Sequence, residues 1–459
     1  MTLTQFLPLY LALMAFALRS PRNWVVAMGI CCFFQGATPF LLHGGGRMVG
    51  LPPAYLLISV GLLHELYAIL QPGQRRGPPR NAVPGAAPQL WLLAFTVIAV
   101  ASAFILPRLF AGVAHAMPIR GSLDSGLFLP VYPNSSNAFQ AIYLVLNALI
   151  VALVSRMMMR NEADARDVVR GVALGALCAS GFGLYQLVAY YTGLPWPGDF
   201  VNSNLGVGQF PEQVVSSVKR ISATFWEPSL LSYNFVGTIG LLLLGGLATR
   251  VGWLVLVVQL LSTSSVGYVA LLLLAAIWMV FASSSRQQKL RVAMAGMVVI
   301  ALALAADFAF TGGQVTSSML INKSSSDSAI HRSYANYLAL QSFLETWGLG
   351  VGMGSARASS LFATLLATTG VLGVGSFVGF LLSLLSGSIG SEDPIRRAFG
   401  LSLIGFGAVW LISIPDIAQP TFWLIAGGAV GYRIQGAMRA SATRPACPGH
   451  LRIGACQHA

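Results

Sequence analysis

The run Lys219-Arg220-Ile221-Ser222-Ala223-Thr224-Phe225-Trp226-Glu227-Pro228-Ser229 sets two cations, an aromatic pair and a carboxylate just ahead of a long apolar stretch. Arginine suits phosphate, because its planar fork donates two parallel hydrogen bonds where lysine offers a point charge. Glu227 beside such cations can act as a base or as their counter-ion, and Pro228 stands where a helix would begin. The same residues also suit simple interfacial anchoring, since Trp, Lys and Arg gather at lipid headgroups.

A second polar stretch begins with Ser324-Ser325-Ser326-Asp327, good N-cap chemistry for a helix. Ile330, Tyr334, Tyr337 and Leu338 recur at helical spacing and form one apolar stripe, with His331 and Arg332 beside it. Trp347-Gly348-Leu349-Gly350-Val351-Gly352-Met353-Gly354-Ser355 follows. Alternating glycines allow unusual dihedrals, so N–H groups at Gly350 and Gly352 could cradle an anion. A turn leading into the next apolar run is the competing reading. Asp307, near the end of an apolar run, is a further candidate because intramembrane carboxylates are costly and mostly paired or functional.

These groups must be held by membrane helices. The chain has 459 residues, of which 56% are hydrophobic and 9% charged, at a mean hydropathy of +0.72. That excludes an ordinary soluble enzyme, which is near a quarter charged. Apolar runs lie at about 3–18, 24–42, 51–70, 90–107, 138–155, 171–190, 229–248, 251–262, 266–282, 292–310, 358–385, 399–413 and 419–432. At about 20 residues per crossing, they predict an all-α polytopic protein with about 12–13 transmembrane helices. The net charge of +13 comes from 27 Lys and Arg against 14 Asp and Glu. Most of the basic residues fall in alternate short loops (Arg19 and Arg22; Arg75, Arg76 and Arg80; Arg156 to Arg170; Arg250; Arg286 to Arg291; Arg396 and Arg397) and in the tail. The positive-inside rule makes those loops cytoplasmic, with the N-terminus outside and 251–282 a hairpin whose tip is Thr263-Ser264-Ser265. With no basic stripe or aromatic RNA-binding motif, the charge does not point to nucleic acid.

The expected organisation is helices over 1–190, an outer loop at 191–228, helices over 229–310, a large outer loop at 311–357, helices over 358–433 and a tail at 434–459. Five cysteines suggest no disulfide framework, and Cys447, His450, Cys456 and His458 in the tail match a zinc cluster in composition only. No metal site is expected. Walker A, G-x-S-x-G and H-E-x-x-H patterns are missing from the sequence.

The order of these pieces resembles the O-antigen ligase and Wzy-type polysaccharide polymerase superfamily. It runs from a basic-aromatic loop with Glu-Pro-Ser, through a Thr-Ser-Ser hairpin tip, to an outer helix with Arg332, a Gly-Leu-Gly-Val-Gly-Met-Gly-Ser loop and a last core span. The match covers roughly 210–375. It implies a GT-C-like fold in the bacterial inner membrane, with the active site facing the periplasm. It also implies metal-independent glycosyl transfer from undecaprenyl-diphosphate-linked glycans, with no cofactor. Arg220 resembles the family's arginine before the Glu-Pro-Ser span, and Arg332 the arginine on its large outer-loop helix. Ligases carry a His, then Asn, Ser or Gln, then nine residues and Gly-x-x-Gly. Here Ser359-Ser360 and Gly370-Val371-Leu372-Gly373 keep the spacing, but Ser359 replaces the histidine. That favours a polymerase and leaves the general base open between Glu227 and His331.

The reaction so implied is an inverting displacement at an anomeric carbon, with Arg220 and Arg332 stabilising the departing diphosphate. Lys219 and Arg357 would assist, and Trp226 and Tyr334 could stack on sugar faces. A flippase and a chain-length regulator are the partners such an enzyme implies. The rival readings are a ligase acting on a lipid or protein acceptor and, from another class, a transporter of polysaccharide or lipid-linked oligosaccharide. A transporter would place charge at the midplane in broken helices, whereas here charge lies mostly at the faces.

Overall fold

A computed structural model of the protein describes residues 1–44, 47–71, 87–119, 127–206, 208–209, 213–215, 218–318 and 327–442. The cysteine- and histidine-bearing tail, the loop with Arg75, Arg76 and Arg80, and cap residues 324–326 lie outside that set.

Every apolar run marked above contains a helix, and among the described residues strand pieces of two to five residues lie in the connections. Among the described residues, seven helices are long and apolar enough to cross a membrane: Pro53–Leu70, Ala87–Leu109, Ser135–Met159, Ala165–Thr192, Arg286–Thr311, Leu361–Leu385 and Pro394–Ile412. Four more apolar helices are shorter, at Leu7–Leu18, Pro228–Leu244, Thr249–Leu261 and Ser265–Phe281. The chain is an all-α, multi-pass membrane protein.

One expected span is not a single helix. Residues 24–42 form the end of the Pro21–Cys31 helix, a turn and the start of the Phe40–Gly44 strand, which pairs antiparallel with Arg47–Gly50. Side chains compete with the helix here. Gln35 Nε2 donates to the Cys32 carbonyl at 3.1 Å, and the Thr38 hydroxyl reaches the carbonyls of Phe40 and Leu51 at 2.9 Å. Pro39 then prevents the turn from resuming a helix.

Segments that charge places on one side of the membrane meet at one end of the bundle. Gln435 Nε2 donates to the Met158 carbonyl at 2.5 Å, Tyr432 to Asp393 at 2.6 Å and Arg397 to the Ser283 carbonyl at 3.1 Å. Glu65 joins them by accepting from Arg156 Nε at 3.0 Å and from Arg160 at 2.7 and 2.9 Å. Glu65 is buried, and of its two partners Arg160 is mostly covered while Arg156 stays open to solvent, so removing Glu65 costs chiefly through Arg160. Glu65→Ala is expected to cost on the order of 3 kcal/mol, read as a lower melting temperature in detergent. An unchanged melt would show that Glu162, 2.8 Å from Arg160 Nε, suffices alone.

The large connecting segments gather at the opposite end. Asn137 Nδ2 donates to the Met353 carbonyl at 2.7 Å, and Arg357 N to the Met117 carbonyl at 3.0 Å. Below them Pro228–Ile239 is buried at every residue but Ser229. Its Gly237 lets the Phe406 ring come so close that a Cβ there would lie 2.4 Å away. The Ser402 hydroxyl donates to the Gly237 carbonyl at 2.8 Å and fixes this crossing. The helix that begins at Glu227-Pro228-Ser229 is thus a rigid post, and what its first turn presents is held in place.

Candidate functional site

Arg220 stands at the end of a small antiparallel pair, Val214–Val215 with Val218–Lys219. Its N–H extends that ladder to the Gln213 carbonyl at 3.0 Å, and its Nη1 donates to Gln213 Oε1 at 3.0 Å. Side chains alternate across a strand, so Lys219 and Arg220 face opposite ways. Lys219 is buried and holds its ammonium 5.4 Å from the Tyr190 ring centre. Beyond Arg220 the chain is clamped. Gln186 Oε1 accepts from the N–H groups of Ser222 and Ala223 at 2.9 and 3.0 Å, and the Thr224 carbonyl accepts from Gly36 N at 2.9 Å.

Arg332 comes from the Asp327–Glu345 helix. The buried face of this helix shares only Leu338 with the expected stripe. Ala335, Leu338, Ala339, Ser342 and Thr346 are buried, whereas Ile330, Tyr334 and Tyr337 are exposed. Small residues let the helix approach Leu361–Leu385 closely, which outweighs the size of the aromatic side chains. Asn336, one turn after Arg332, seals the contact by accepting from Ser359 N at 2.9 Å and Ser360 N at 3.4 Å.

The two arginines line the same cavity, of about 330 Å³, with Gln213, Val214, Ser229, Ser264, Ser265 and Val266. Ser264 and Ser265 belong to the hairpin tip expected between two short spans, recessed as the buried turn Ser262 to Ser264. Burial pushes the Arg220 guanidinium below its usual range; Glu227 opposes that shift and Arg332 reinforces it. Burial lowers Arg332 as well, again opposed by Glu227. Arg220 Nε is buried without a hydrogen-bond partner among the described residues. Two partly desolvated cations therefore face one hollow, with Glu227 the carboxylate that acts on both among the described residues, an environment that an anion would relieve. Neither a protein-family model nor a curated protein matches this chain.

Glu227 adjoins the cavity without lining it. It forms no ion pair within 4 Å among the described residues, and its Oε1 accepts from the Ser229 hydroxyl at 2.5 Å. Trp226 is partly buried against the core. His331 and Tyr334 are exposed and lie outside the cavity wall. Arg357 stands apart, 3.7 Å from Asp416, in a small recess with Gln140 and Met353. Ser359 is buried, with its N–H spent on Asn336.

The N–H groups of Gly350 and Gly352 are not free. Gly350 N donates to Thr346 Oγ1 at 2.9 Å, Val351 N to the Ala367 carbonyl at 2.8 Å and Gly352 N to the Thr368 carbonyl at 2.9 Å. Met353 N reaches Ser102 Oγ at 3.2 Å. These bonds hold the loop against the Leu361–Leu385 and Ala87–Leu109 helices. Asp307 is likewise occupied locally, accepting from Thr316 N at 2.8 Å and the Thr316 hydroxyl at 2.6 Å.

Sequence reasoning passed over Gln213, Ser229, Ser264 and Ser265 as site residues. The serines sat in the motifs that drew attention, but small hydroxyl residues are common in membrane helices and carry no signal of their own. Gln213 had none, since its role depends on a hairpin too short to read from alternation.

Proposed function

We propose that the protein is a glycosyltransferase that joins polyprenyl-diphosphate-linked repeat units, as a polysaccharide polymerase at the periplasmic face of a bacterial inner membrane. What carries this reading is the convergence of Arg220 and Arg332, from separate loops, on one cavity. About 330 Å³ falls in the range of small-ligand sites and suits a diphosphate with an adjoining sugar rather than a whole oligosaccharide.

The donor sugar is already activated by its diphosphate, so the protein need only position two substrates and stabilise the charge that develops as the anomeric C–O bond breaks. Arg220 and Arg332 present guanidinium forks to that charge. Ser264 and Ser265 offer hydroxyls to sugar or phosphate oxygens, and Gln213 keeps Arg220 aimed.

The test is an incubation of purified protein with undecaprenyl-diphosphate-linked glycan extracted from the source membrane. A ladder of lengthened chains still bearing the lipid diphosphate is the expected product. Glycan appearing on an acceptor without diphosphate would make the protein a ligase. Unaltered donor would end the glycosyl-transfer reading.

A further inference from the structure

Glu227 occupies the N-cap of the Pro228–Ile239 helix, yet its side chain caps no backbone N–H. Carboxylates at that position ordinarily accept from the second or third N–H of the helix. Here the carboxylate turns to a hydroxyl instead, the Ser229 Oγ at 2.5 Å, within the range of charge-assisted O–H···O⁻ bonds. Ser229 lines the cavity with both arginines, and Glu227 does not. A serine hydroxyl has one proton to give and two lone pairs to accept with. Its proton is committed to Glu227, so its lone pairs are what it can offer the cavity.

We propose that Ser229 is the residue that touches the attacking hydroxyl and relays its proton to Glu227. The inference rests on the glycosyl-transfer reading above. In the step, the acceptor oxygen forms its bond to the anomeric carbon while the bond from that carbon to the diphosphate oxygen breaks. The leaving diphosphate takes the electron pair and stays against Arg220 and Arg332. The acceptor's proton passes to Ser229 Oγ as the proton of Ser229 passes to Glu227 Oε1, so serine ends neutral and the carboxylate protonated. Glu227 is placed for this. It acts electrostatically on both arginines, yet no cation nitrogen within 4 Å occupies its oxygens among the described residues.

Ser229→Ala, Ser229→Thr, Glu227→Gln and the double variant Glu227→Gln/Ser229→Ala test the relay, with turnover measured on the extracted lipid-linked glycan and binding on undecaprenyl diphosphate. Positioned proton transfer is worth about 10²–10⁴-fold, so Ser229→Ala should lose about a hundredfold or more in kcat while binding undecaprenyl diphosphate as the parent does. Ser229→Thr, which keeps the hydroxyl, should stay within about tenfold of the parent. The double variant should be no slower than the worse single one, because the two groups act as a unit. Ser229→Ala turning over at the parent rate would end the relay and leave the transferase reading standing, as would losses that add in the double variant. A parent protein that transfers nothing would end both.

Discussion

Arg220→Ala and Arg332→Ala should each lower the rate of glycan transfer by about a hundredfold or more, the loss seen when one preorganised donor to a developing oxyanion is removed. The magnitude follows from where the two guanidiniums sit. Both are partly drawn out of water, and Arg220 Nε has no hydrogen-bond partner among the described residues, so part of their solvation is already gone when diphosphate arrives. In such a site each charge-assisted bond counts for more than at an open surface. Lysine at either position keeps the charge without the fork and should recover only part of the rate. The double variant should fall short of the product of the single losses, since both arginines hold one leaving group. Arg250, exposed at the far end of the Thr249–Leu261 helix from the cavity, is the control whose alanine variant should transfer normally. Lengthened chains made at full speed by both single alanine variants would remove the central support of the proposed function.

The helices were legible because apolar length is a strong signal, and loop charge grouped the segments that meet at each end of the bundle. The pair of short helices at 251–282 was legible for the same reason, and its two flanks do return together: a Cβ on Gly246 would lie 3.9 Å from Gln288 Nε2. What pattern alone could not decide was direction at the scale of single side chains. Lys219 and Arg220 look equivalent in sequence, yet strand alternation sends one over Tyr190 and the other into the cavity. Of the stripe Ile330, Tyr334, Tyr337 and Leu338 only Leu338 is buried, because closeness of approach rather than apolar size chose the packed face, and Ala335, Ala339 and Ser342 share it. Run 24–42 failed because Gln35 and Thr38 turn the chain through hydrogen bonds to backbone that hydropathy does not register.

Gly370→Ala should be the most damaging single change in the fold, with a loss of about 3 kcal/mol or more read as a lower melting temperature in detergent. Gly370 sits inside the Leu361–Leu385 helix with φ 63° and ψ −163°, a region essentially closed to residues with a Cβ. The break has a use. Leaving the helical path at Gly370 frees the carbonyls of Ala367 and Thr368, which accept from Val351 and Gly352 of the glycine loop, while Val371 N turns to the Gly348 carbonyl at 3.1 Å. Loop and broken helix thus complete each other's hydrogen bonds where water is scarce. A Cβ at Gly370 would meet the Gly348 and Leu349 carbonyl oxygens at 2.2 and 2.5 Å, both backbone atoms with nowhere to go. The loop continues directly from the helix that carries Arg332, so the same variant should also lose transfer activity as that helix loses its anchor. Gly375, five residues on, lies on regular helix, and a methyl group added there would meet nothing within 4 Å. Gly375→Ala should therefore keep activity and hold or raise the melting temperature, by the ordinary preference of helices for alanine of up to about 1 kcal/mol. If Gly370→Ala melted with Gly375→Ala, the glycine loop would be an ornament on a continuous helix rather than the clamp that sets the position of Arg332.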